Sequence, residues 1–575
     1  MTVKKFLVQW IIFVCLSVCF CEIVGDDTSF KNFPLKTLED GSVVRGVRSK
    51  TLTEGKLYYS FRGIRYAKPP VGELRWKPPE KAPKWEGVLD ATEDGSQCTQ
   101  FMRVMIAGQE DCLTINVYTP TLEQDNLPVI AWIHDGGFFL GNSSYAYRPP
   151  DLILDEHVIF VSFNYRLGVF GFFSTEDLAA PGNFAFKDQV LALRWVQENI
   201  HHFGGDPKAV TVFGESAGSS SISYLLQSDS AKGLFRGAIM NSGVGTCLWS
   251  LDRRAKLTSQ LLGTVLKVDT SDNIKMVEQL RQFDQVQTQI AAAAAQSHVL
   301  IDTLAGLTYG PVKEPVHDGA FFYNNTEDNL RNGHFHRVPV LMGTTSNEAV
   351  AFGIVTSLLR VIPLQYDKNP KLAAPAGLTD SDADRTAAAT DVYSYFFQSR
   401  PLSLSNMSDL ARFITRDQFH RPIRKAALDM KKYVPVYFYI FSFVGASGKN
   451  IESQFEVDNI GADVLPIKGE GAGHGEDLGY LFYRPNVEGV TENDILMQKR
   501  TVRMWTNFAK YTNPTPTKDP LLEKITWPAN DGTDDNLRYL NIDLKMSVNE
   551  NPFDEDMRFY DRLYEKYGQP PYDTY

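Results

Sequence analysis

A strand-turn-helix pattern around Ser216 constrains this chain more than any other feature of its sequence. The apolar run 209–213 ends in Gly214-Glu-Ser-Ala-Gly218 and continues into a segment compatible with a helix. In this context G-x-S-x-G is the nucleophile elbow, a tight turn that presents a serine hydroxyl at the carboxyl end of a sheet. The flanking positions are glycines because larger side chains would collide with the neighbouring strand and helix. The pattern predicts Ser216 as a nucleophile.

The pentapeptide alone is a weak signal, and a loop upstream of it adds support. Leu127–Ile133 is an apolar strand candidate that continues into His134-Asp-Gly-Gly-Phe138. Paired glycines after such a strand supply backbone N–H groups to an oxyanion hole, together with the N–H of the residue after the nucleophile. The sequence therefore predicts Gly136, Gly137 and Ala217 as the donors.

Two segments downstream of the serine offer an acid and a histidine. The apolar run 338–348 is typical of a buried strand and delivers Glu348 at its end, while His474 lies in a glycine-rich loop. Nucleophile, acid and histidine in this chain order are typical of α/β-hydrolases. Glu476 and Asp477 lie so near His474 in sequence that their side chains cannot easily reach back to its Nδ1 atom. Glu348 is therefore the predicted acid.

Several ordered blocks of the chain resemble the type-B carboxylesterases, the carboxylesterase/cholinesterase family, from about Leu35 to about Tyr567. The blocks that carry the resemblance include FRGIRYAKPPVGELR (61–75), EDCL (110–113), NYRLG (164–168), FGGDP (203–207) and GESAG (214–218). The resemblance implies an α/β-hydrolase fold, with a large, mostly parallel central sheet and helices on both faces. It also implies that Ser216, Glu348 and His474 form the catalytic triad, in agreement with the motifs above.

The same resemblance assigns supporting roles to three further residues and implies the chemistry. Glu215, Ser242 and Asp477 are expected to surround the triad beside a buried water network. The implied reaction is ester hydrolysis through an acyl-enzyme on the serine, which requires neither a metal nor an organic cofactor. The expected partners are small-molecule carboxylic esters and organophosphate inhibitors.

The sequence resembles insect carboxylesterases most and leaves related functions open. An adhesion protein with a lost nucleophile is disfavoured because all three triad residues are present. A cholinesterase is disfavoured because the 13 residues between Cys98 and Cys112 contain no tryptophan. Juvenile hormone esterases usually carry glutamine where this chain has Glu215, which argues against that substrate without excluding it. Detoxification, pheromone or odorant clearance and digestion are all compatible with the sequence.

One position departs from the family's pattern, because Asp135 replaces the first glycine of the oxyanion loop. A carboxylate turned toward the site would oppose the developing negative charge, whereas one turned away would bond a neighbouring loop. We expect the second orientation. The substitution Asp135→Gly would then leave the kinetics nearly unchanged and cost about 1 kcal/mol of stability or less.

The amino terminus has the pattern of a secretory signal peptide over residues 1–21. Two lysines precede an apolar run that is too short for an ordinary membrane span, and small residues allow cleavage after Cys21. Residues 22–575 are expected to form a single catalytic domain, because no linker or repeat divides the triad. The protein is therefore expected to be secreted and to lack a membrane anchor. Its formal charge of −11 disfavours nucleic acid as a partner.

Secretion also determines how the cysteines and sequons are interpreted. Cys98 and Cys112 match the family's first disulfide, which leaves Cys247 as an unpaired, buried thiol. Glycosylation sequons lie at Asn142, Asn324 and Asn406. The last two are expected to be exposed, whereas the first lies close to the oxyanion loop.

The sequence also predicts local structure away from the triad. Adjacent helical residues do not share a face, so His201 and His202 are expected to be solvated rather than to bind a metal. The segment 363–385 has the composition of an exposed loop. Residues 554–567 have the pattern of an amphipathic closing helix.

Overall fold

The structure is a computed structural model of the chain. It describes residues 33–102, 105–123, 125–299, 306–350, 365–366, 368–401, 406–448 and 471–575. The predicted signal peptide lies outside the described residues.

The fold is organised around one large sheet. The strands, in chain order, are β1 Leu35–Thr37, β2 Val43–Arg45, β3 Val47–Lys50, β4 Leu57–Arg65, β5 Val88–Asp90, β6 Gln100–Met102, β7 Met105–Ala107, β8 Thr114–Thr119, β9 Leu127–Ile133, β10 Ile159–Phe163, β11 Gly205–Glu215, β12 Gly237–Asn241, β13 Val340–Thr345, β14 Val436–Phe441, β15 Arg538–Ile542 and β16 Ser547–Glu550. Eleven strands form the main sheet in the order β16-β15-β14-β13-β12-β11-β9-β10-β8-β4-β3. In this spatial order, every neighbouring pair of strands from β15 to β10 is parallel. The pairs β16–β15, β10–β8, β8–β4 and β4–β3 are antiparallel. The prediction of a large, mostly parallel sheet is confirmed.

Helices cover both faces of this sheet. They are α1 Asp151–Leu154, α2 Gly168–Phe172, α3 Phe184–Asn199, α4 Ala217–Gln227, α5 Ala255–Val265, α6 Asn273–Leu280, α7 Gln285–Ser297, α8 Thr326–Arg331, α9 Asp382–Phe397, α10 Met407–Thr415, α11 Arg421–Met430, α12 Glu492–Tyr511 and α13 Asp554–Tyr567. Apolar side chains of α3, α4 and α11 belong to one core cluster, and those of α1 and α12 belong to a second. A third cluster joins α9, α10 and α13.

The central strands are apolar along their whole length because both of their faces are covered. In β9, Val129, Ala131 and Ile133 pack into the first cluster, whereas Ile130 and Trp132 pack into the second. This alternation follows from the two-residue period of a strand. Parallel strands buried on both sides therefore have nearly continuous apolar sequences, which made them detectable.

Parallel pairing places the functional loops on one edge of the sheet. The register aligns Ile133 of β9 with Gly214 of β11, and Glu215 of β11 with Asn241 of β12. It also aligns Asn241 with Gly343 of β13. The carboxyl ends of four adjacent strand segments thus lie side by side, which is where ligands bind in open α/β sheets.

The structure corrects one prediction about surface segments and confirms another. The described part of the segment 363–385 is only partly a loop, because Pro370–Ala373 is a 3-10 helix and α9 begins at Asp382, with irregular backbone between them. Its residues Ala373, Ala374 and Leu378 are buried in the third core cluster, a contact that composition cannot reveal. The predicted closing helix over residues 554–567 is confirmed as α13. The single domain over residues 22–575 stays a prediction.

The predicted cysteine states are confirmed, and one sequon prediction is wrong. Cys98 and Cys112 form a disulfide, and Cys247 is buried and free. Among the sequons, Asn324 is exposed, but Asn406 is buried and its amide donates to the carbonyl of Pro401. The sequon at Asn142 is half-buried, and its side-chain oxygen accepts the N–H of residue 144.

Candidate active site

Ser216 lies at the junction of β11 and α4 in a backbone conformation that few residues adopt. Its φ is 53° and its ψ is −119°, and its N–H donates to the carbonyl of Asn241 at 2.9 Å. A Cβ atom on Gly218 would lie 2.0 Å from the Ile133 carbonyl, and one on Gly214 would lie 2.4 Å from the carbonyl carbon of Gly218. The predicted reason for the two glycines is therefore confirmed: the strand and helix approach too closely for side chains.

The oxyanion loop is a compact turn after β9. Gly136 and Gly137 have φ values of 106° and 61°, in the region that favours glycine. The carbonyl of Gly136 accepts the N–H groups of Phe139 and Leu140, which closes the turn. Ala217 is the first residue of α4, and the first N–H groups of a helix have no partner within it. All three predicted donors thus lie at the same edge of the sheet.

The nucleophile elbow and the oxyanion loop form the accessible part of an otherwise buried site. Ser216, Gly136 and Gly137 are each half-buried, whereas Glu348 and His474 are buried. A ligand can therefore reach the hydroxyl and the loop, while the groups behind them are shielded from water.

The structure brings the predicted acid and histidine together. Nδ1 of His474 lies 2.6 Å from Oε2 of Glu348, and the His474 N–H donates to the Glu348 carbonyl at 3.0 Å. The other carboxylate oxygen, Oε1, accepts from the Ser242 hydroxyl at 2.7 Å and from the Thr345 N–H at 2.9 Å. Both oxygens of this buried carboxylate are thus hydrogen-bonded, which fixes its orientation.

Glu215, the residue before the serine, contacts the opposite side of the imidazole. Its Oε1 lies 3.0 Å from Nε2 of His474, so that the ring is flanked by two carboxylates. Burial by itself lowers the pKa of His474, but Glu215 and Glu348 raise it more, and the pKa lies well above its usual range. A positively charged imidazolium is therefore strongly favoured here.

Asp477 is a further buried carboxyl group, and its hydrogen-bond partners differ from those of Glu348. It accepts from the Asn241 side chain at 2.9 Å and from the Tyr439 hydroxyl at 3.0 Å. Burial, together with the charge of Glu348, raises the pKa of Asp477 to about 7. Of the three supporting residues, Glu215 and Ser242 touch the triad directly, whereas Asp477 is held by Asn241, the residue beside Ser242.

Sequence analysis missed an aromatic wall beside the imidazole. The ring centroid of Phe419 lies 4.9 Å from that of His474, and Trp249 lies 5.9 Å from Phe419. Phe138 of the oxyanion loop lies 6.4 Å from Trp249. Phe419 is in a π-helical turn, Arg416–His420. No spacing pattern linked these three aromatic residues.

The Asp135 carboxylate bonds a neighbouring segment, as expected, and it is buried there. It accepts from the Arg148 guanidinium and from the Tyr147 hydroxyl. The Asp135 and Arg148 side chains are 2% and 4% exposed, so this is a buried ion pair. Removing one partner of such a pair typically costs about 3–5 kcal/mol. The expectation that Asp135→Gly costs 1 kcal/mol or less is therefore corrected.

The prediction that His201 and His202 do not share a face is wrong. The two rings lie 3.9 Å apart in the 3-10 helix Ile200–Phe203, and both side chains converge on Glu39. Their Nε2 atoms lie 3.6 and 3.2 Å from Oε2 of Glu39. Within the described part of the chain, this is the one group of three such side chains close enough to share a metal ion. Glu39 is exposed, and exposed acidic groups of this kind are common without a metal ion, so the cluster alone does not establish a metal site.

Comparison with known proteins identifies the family. The sequence profile of the Carboxylesterase family matches residues 34–560. The chain belongs to this family. It is 34% identical to juvenile hormone esterase from Tribolium castaneum, over 86% of each chain, and 31% identical to venom carboxylesterase-6 from Apis mellifera, over 88% of this chain and 91% of the relative. Family membership supports the hydrolysis of small-molecule carboxylic esters.

The solved structures support the same assignment. The crystal structure of juvenile hormone esterase from Manduca sexta, with OTFP covalently attached, superposes with a TM-score of 0.80 at 28% identity. The match covers 93% of this chain and 100% of that one. The fold is therefore the α/β-hydrolase fold. None of the helices in the described ranges is long and apolar enough to cross a membrane.

The two carboxylates around His474 generate a prediction about pH dependence. The imidazole must be neutral to accept a proton, so the acidic limb of the kcat/KM profile reports its pKa. The substitution Glu215→Gln removes one carboxylate that raises this pKa. We expect the acidic limb to move to lower pH by about one unit or more, measured with an aromatic ester. Glu110→Gln, in a buried ion pair with Arg75, serves as the control and should leave the limb in place. An unmoved limb in Glu215→Gln would contradict the assignment.

Proposed function

We propose that the protein is a secreted serine carboxylesterase that hydrolyses carboxylic esters through an acyl-enzyme on Ser216. The observation that carries the proposal is the buried contact of His474 with Glu348 beside a nucleophile elbow. Membership of the carboxylesterase family supports the reaction class. The triad and its mechanism are inferred from the geometry.

In the first half-reaction, the Ser216 hydroxyl attacks the ester carbonyl carbon while Nε2 of His474 accepts its proton. The carbonyl oxygen becomes an oxyanion, for which the N–H groups of Gly136, Gly137 and Ala217 are the proposed donors. The carbon–oxygen bond to the alcohol then breaks, and His474 returns the proton to the departing alcohol. The acyl group stays on the serine.

In the second half-reaction, water replaces the alcohol. His474 accepts a proton from the water as its oxygen attacks the acyl carbon, and the serine oxygen leaves with that proton. The products are the carboxylic acid and the free enzyme. Both half-reactions pass through an imidazolium, which the carboxylates of Glu348 and Glu215 stabilise from opposite sides. Glu348 additionally accepts the Nδ1–H and so selects the tautomer in which Nε2 carries no hydrogen and can accept a proton.

Secretion is part of the proposal and rests on independent features. Residues 1–21 have the signal-peptide pattern, and the Cys98–Cys112 disulfide is typical of oxidising compartments. The exposed sequon at Asn324 is compatible with glycosylation in that pathway.

Juvenile hormone hydrolysis is the second candidate function. Two similar proteins, from Tribolium castaneum and Manduca sexta, are juvenile hormone esterases. Against it stands Glu215, because those enzymes usually carry glutamine at that position. We therefore favour a general carboxylesterase with another physiological substrate, such as a xenobiotic, pheromone, odorant or dietary ester.

Loss of the nucleophile tests the reaction. Purified protein should hydrolyse p-nitrophenyl acetate without added metal, and Ser216→Ala should lower kcat by about a millionfold. Retained activity in Ser216→Ala, or loss of wild-type activity in EDTA, would refute the mechanism.

Organophosphates test the activation of the serine. Their tetrahedral adduct resembles the acylation transition state, so an activated serine in an oxyanion hole should react with them. We expect one equivalent of added mass on the peptide that contains Ser216, detected by mass spectrometry. An adduct on another residue, with Ser216 unmodified, would contradict the assignment.

A substrate panel separates the two candidate functions. We expect kcat/KM for at least one p-nitrophenyl ester of the acyl-length series to exceed that for juvenile hormone by about tenfold or more, and acetylthiocholine to be a poor substrate. A preference for juvenile hormone over every simple ester would favour the second candidate and leave the triad assignment unaffected.

A further inference from the structure

We propose that Asp135 and Arg148 are positioning residues that hold the oxyanion loop, residues 134–141, in its catalytic geometry. The proposal rests on the proposed esterase function, because it assigns a role within that same site. Asp135 is also the position at which this chain departs from the pattern of its family.

The ion pair is supported by a compact set of contacts. The Asp135 carboxylate accepts from Arg148 with one oxygen and from the Tyr147 hydroxyl with the other. Arg148 also donates to the Tyr147 carbonyl at 3.3 Å, and its guanidinium carbon lies 4.2 Å from the centre of the Tyr147 ring. Because both charged side chains are almost completely buried, the pair cannot exchange partners with solvent. The segment after the loop is thereby fastened to the start of the loop.

The Asp135–Arg148 pair fixes Asp135, whose carbonyl shares a peptide group with the proposed donor at Gly136. The Asp135 carbonyl and the Gly136 N–H belong to one planar peptide group, so fixing one fixes the direction of the other. That carbonyl lies 2.9 Å from Nδ1 of His134. A carbonyl can only accept, so Nδ1 carries the hydrogen. Burial lowers the pKa of His134 to about 4, which keeps its ring neutral at physiological pH.

The loop needs such fastening because its own backbone is permissive. Gly136 and Gly137 are adjacent, and glycine has more accessible conformations than any other residue. At the far end, Gln100 holds Gly141 through two hydrogen bonds, at 2.9 and 3.0 Å. The Asp135–Arg148 pair supplies the corresponding anchor at the near end. The two glycines are thus held between fixed points.

The charges of the pair also matter for the chemistry. Together, Asp135 and Arg148 are formally neutral, so the carboxylate does not oppose an oxyanion forming at the loop. Without Arg148, a buried carboxylate would remain uncompensated close to the site, and Coulomb repulsion would add to the loss of positioning. Removal of Arg148 should therefore damage catalysis more than removal of the Asp135 charge.

The test compares Asp135→Asn, Arg148→Met and the double variant with wild type. The probes are p-nitrophenyl acetate, for kcat and KM, and a trifluoromethyl ketone, which forms a tetrahedral adduct on the serine. We expect kcat to fall about tenfold in Asp135→Asn and about a hundredfold in Arg148→Met, with KM changing less than about threefold. Affinity for the ketone should fall in parallel with kcat/KM. The double variant should regain about tenfold in kcat over Arg148→Met, because no unpaired charge remains.

Two further variants separate positioning from folding. Tyr147→Phe keeps the ion pair and removes the hydroxyl that donates to Asp135, so it should fold normally and lower kcat about threefold. Glu110→Gln breaks the buried Arg75–Glu110 pair, whose contacts among the described residues include none to the oxyanion loop. It should lower the thermal midpoint while leaving kcat and ketone affinity of the folded protein unchanged.

The outcomes distinguish this proposal from the proposed function. Wild-type activity together with unchanged kcat and ketone affinity in all folded Asp135, Arg148 and Tyr147 variants would overturn the positioning role alone. Wild-type protein without esterase activity would overturn the proposed function and this role with it. Parallel losses in kcat and ketone affinity, with partial recovery in the double variant, would support it.

Discussion

The contact between His474 and Glu348 joins parts of the chain that lie 126 residues apart, and the remaining chemistry depends on it. It fixes the imidazole so that one nitrogen is occupied and the other is turned toward the elbow. The Glu348 carboxylate is itself immobilised by Ser242 and Thr345, from the ends of two neighbouring strands. In a buried site such charge-assisted bonds are stronger than they would be in water.

The parallel sheet is what makes this contact possible. Strands β9, β11, β12 and β13 run in the same direction, so their carboxyl ends deliver the oxyanion loop, the serine, Ser242 and Glu348 to one edge. The strained turn at Ser216 lies at this same edge. Close packing of strand and helix at Gly214 and Gly218 holds that strain, since any side chain there would force the elements apart.

Buried charges around this edge occur in two paired arrangements. Glu215 and Glu348 flank an imidazole that is thereby favoured in its charged form, and Asp135 is neutralised by Arg148. Because Arg148 neutralises Asp135, the oxyanion loop adds no uncompensated negative charge at the accessible surface of the site, which is formed by Ser216, Gly136 and Gly137. A buried ion pair is costly to form, so its presence beside a glycine-rich loop favours a positional role over a purely stabilising one.

The sequence by itself predicted the elbow, the glycines proposed as oxyanion donors, the chain order of the proposed triad and the parallel core, because each depends on local backbone sterics or on strands buried on both faces. Only the tertiary structure decided what surrounds them. The partner of Asp135, the wall at Phe419, the convergence of His201 and His202, and the burial of Asn406 and Leu378 all depend on side-chain packing and contacts that no local pattern encodes. Local rules fix which conformation a segment can adopt, whereas burial and charge pairing depend on which surfaces the folded chain brings together.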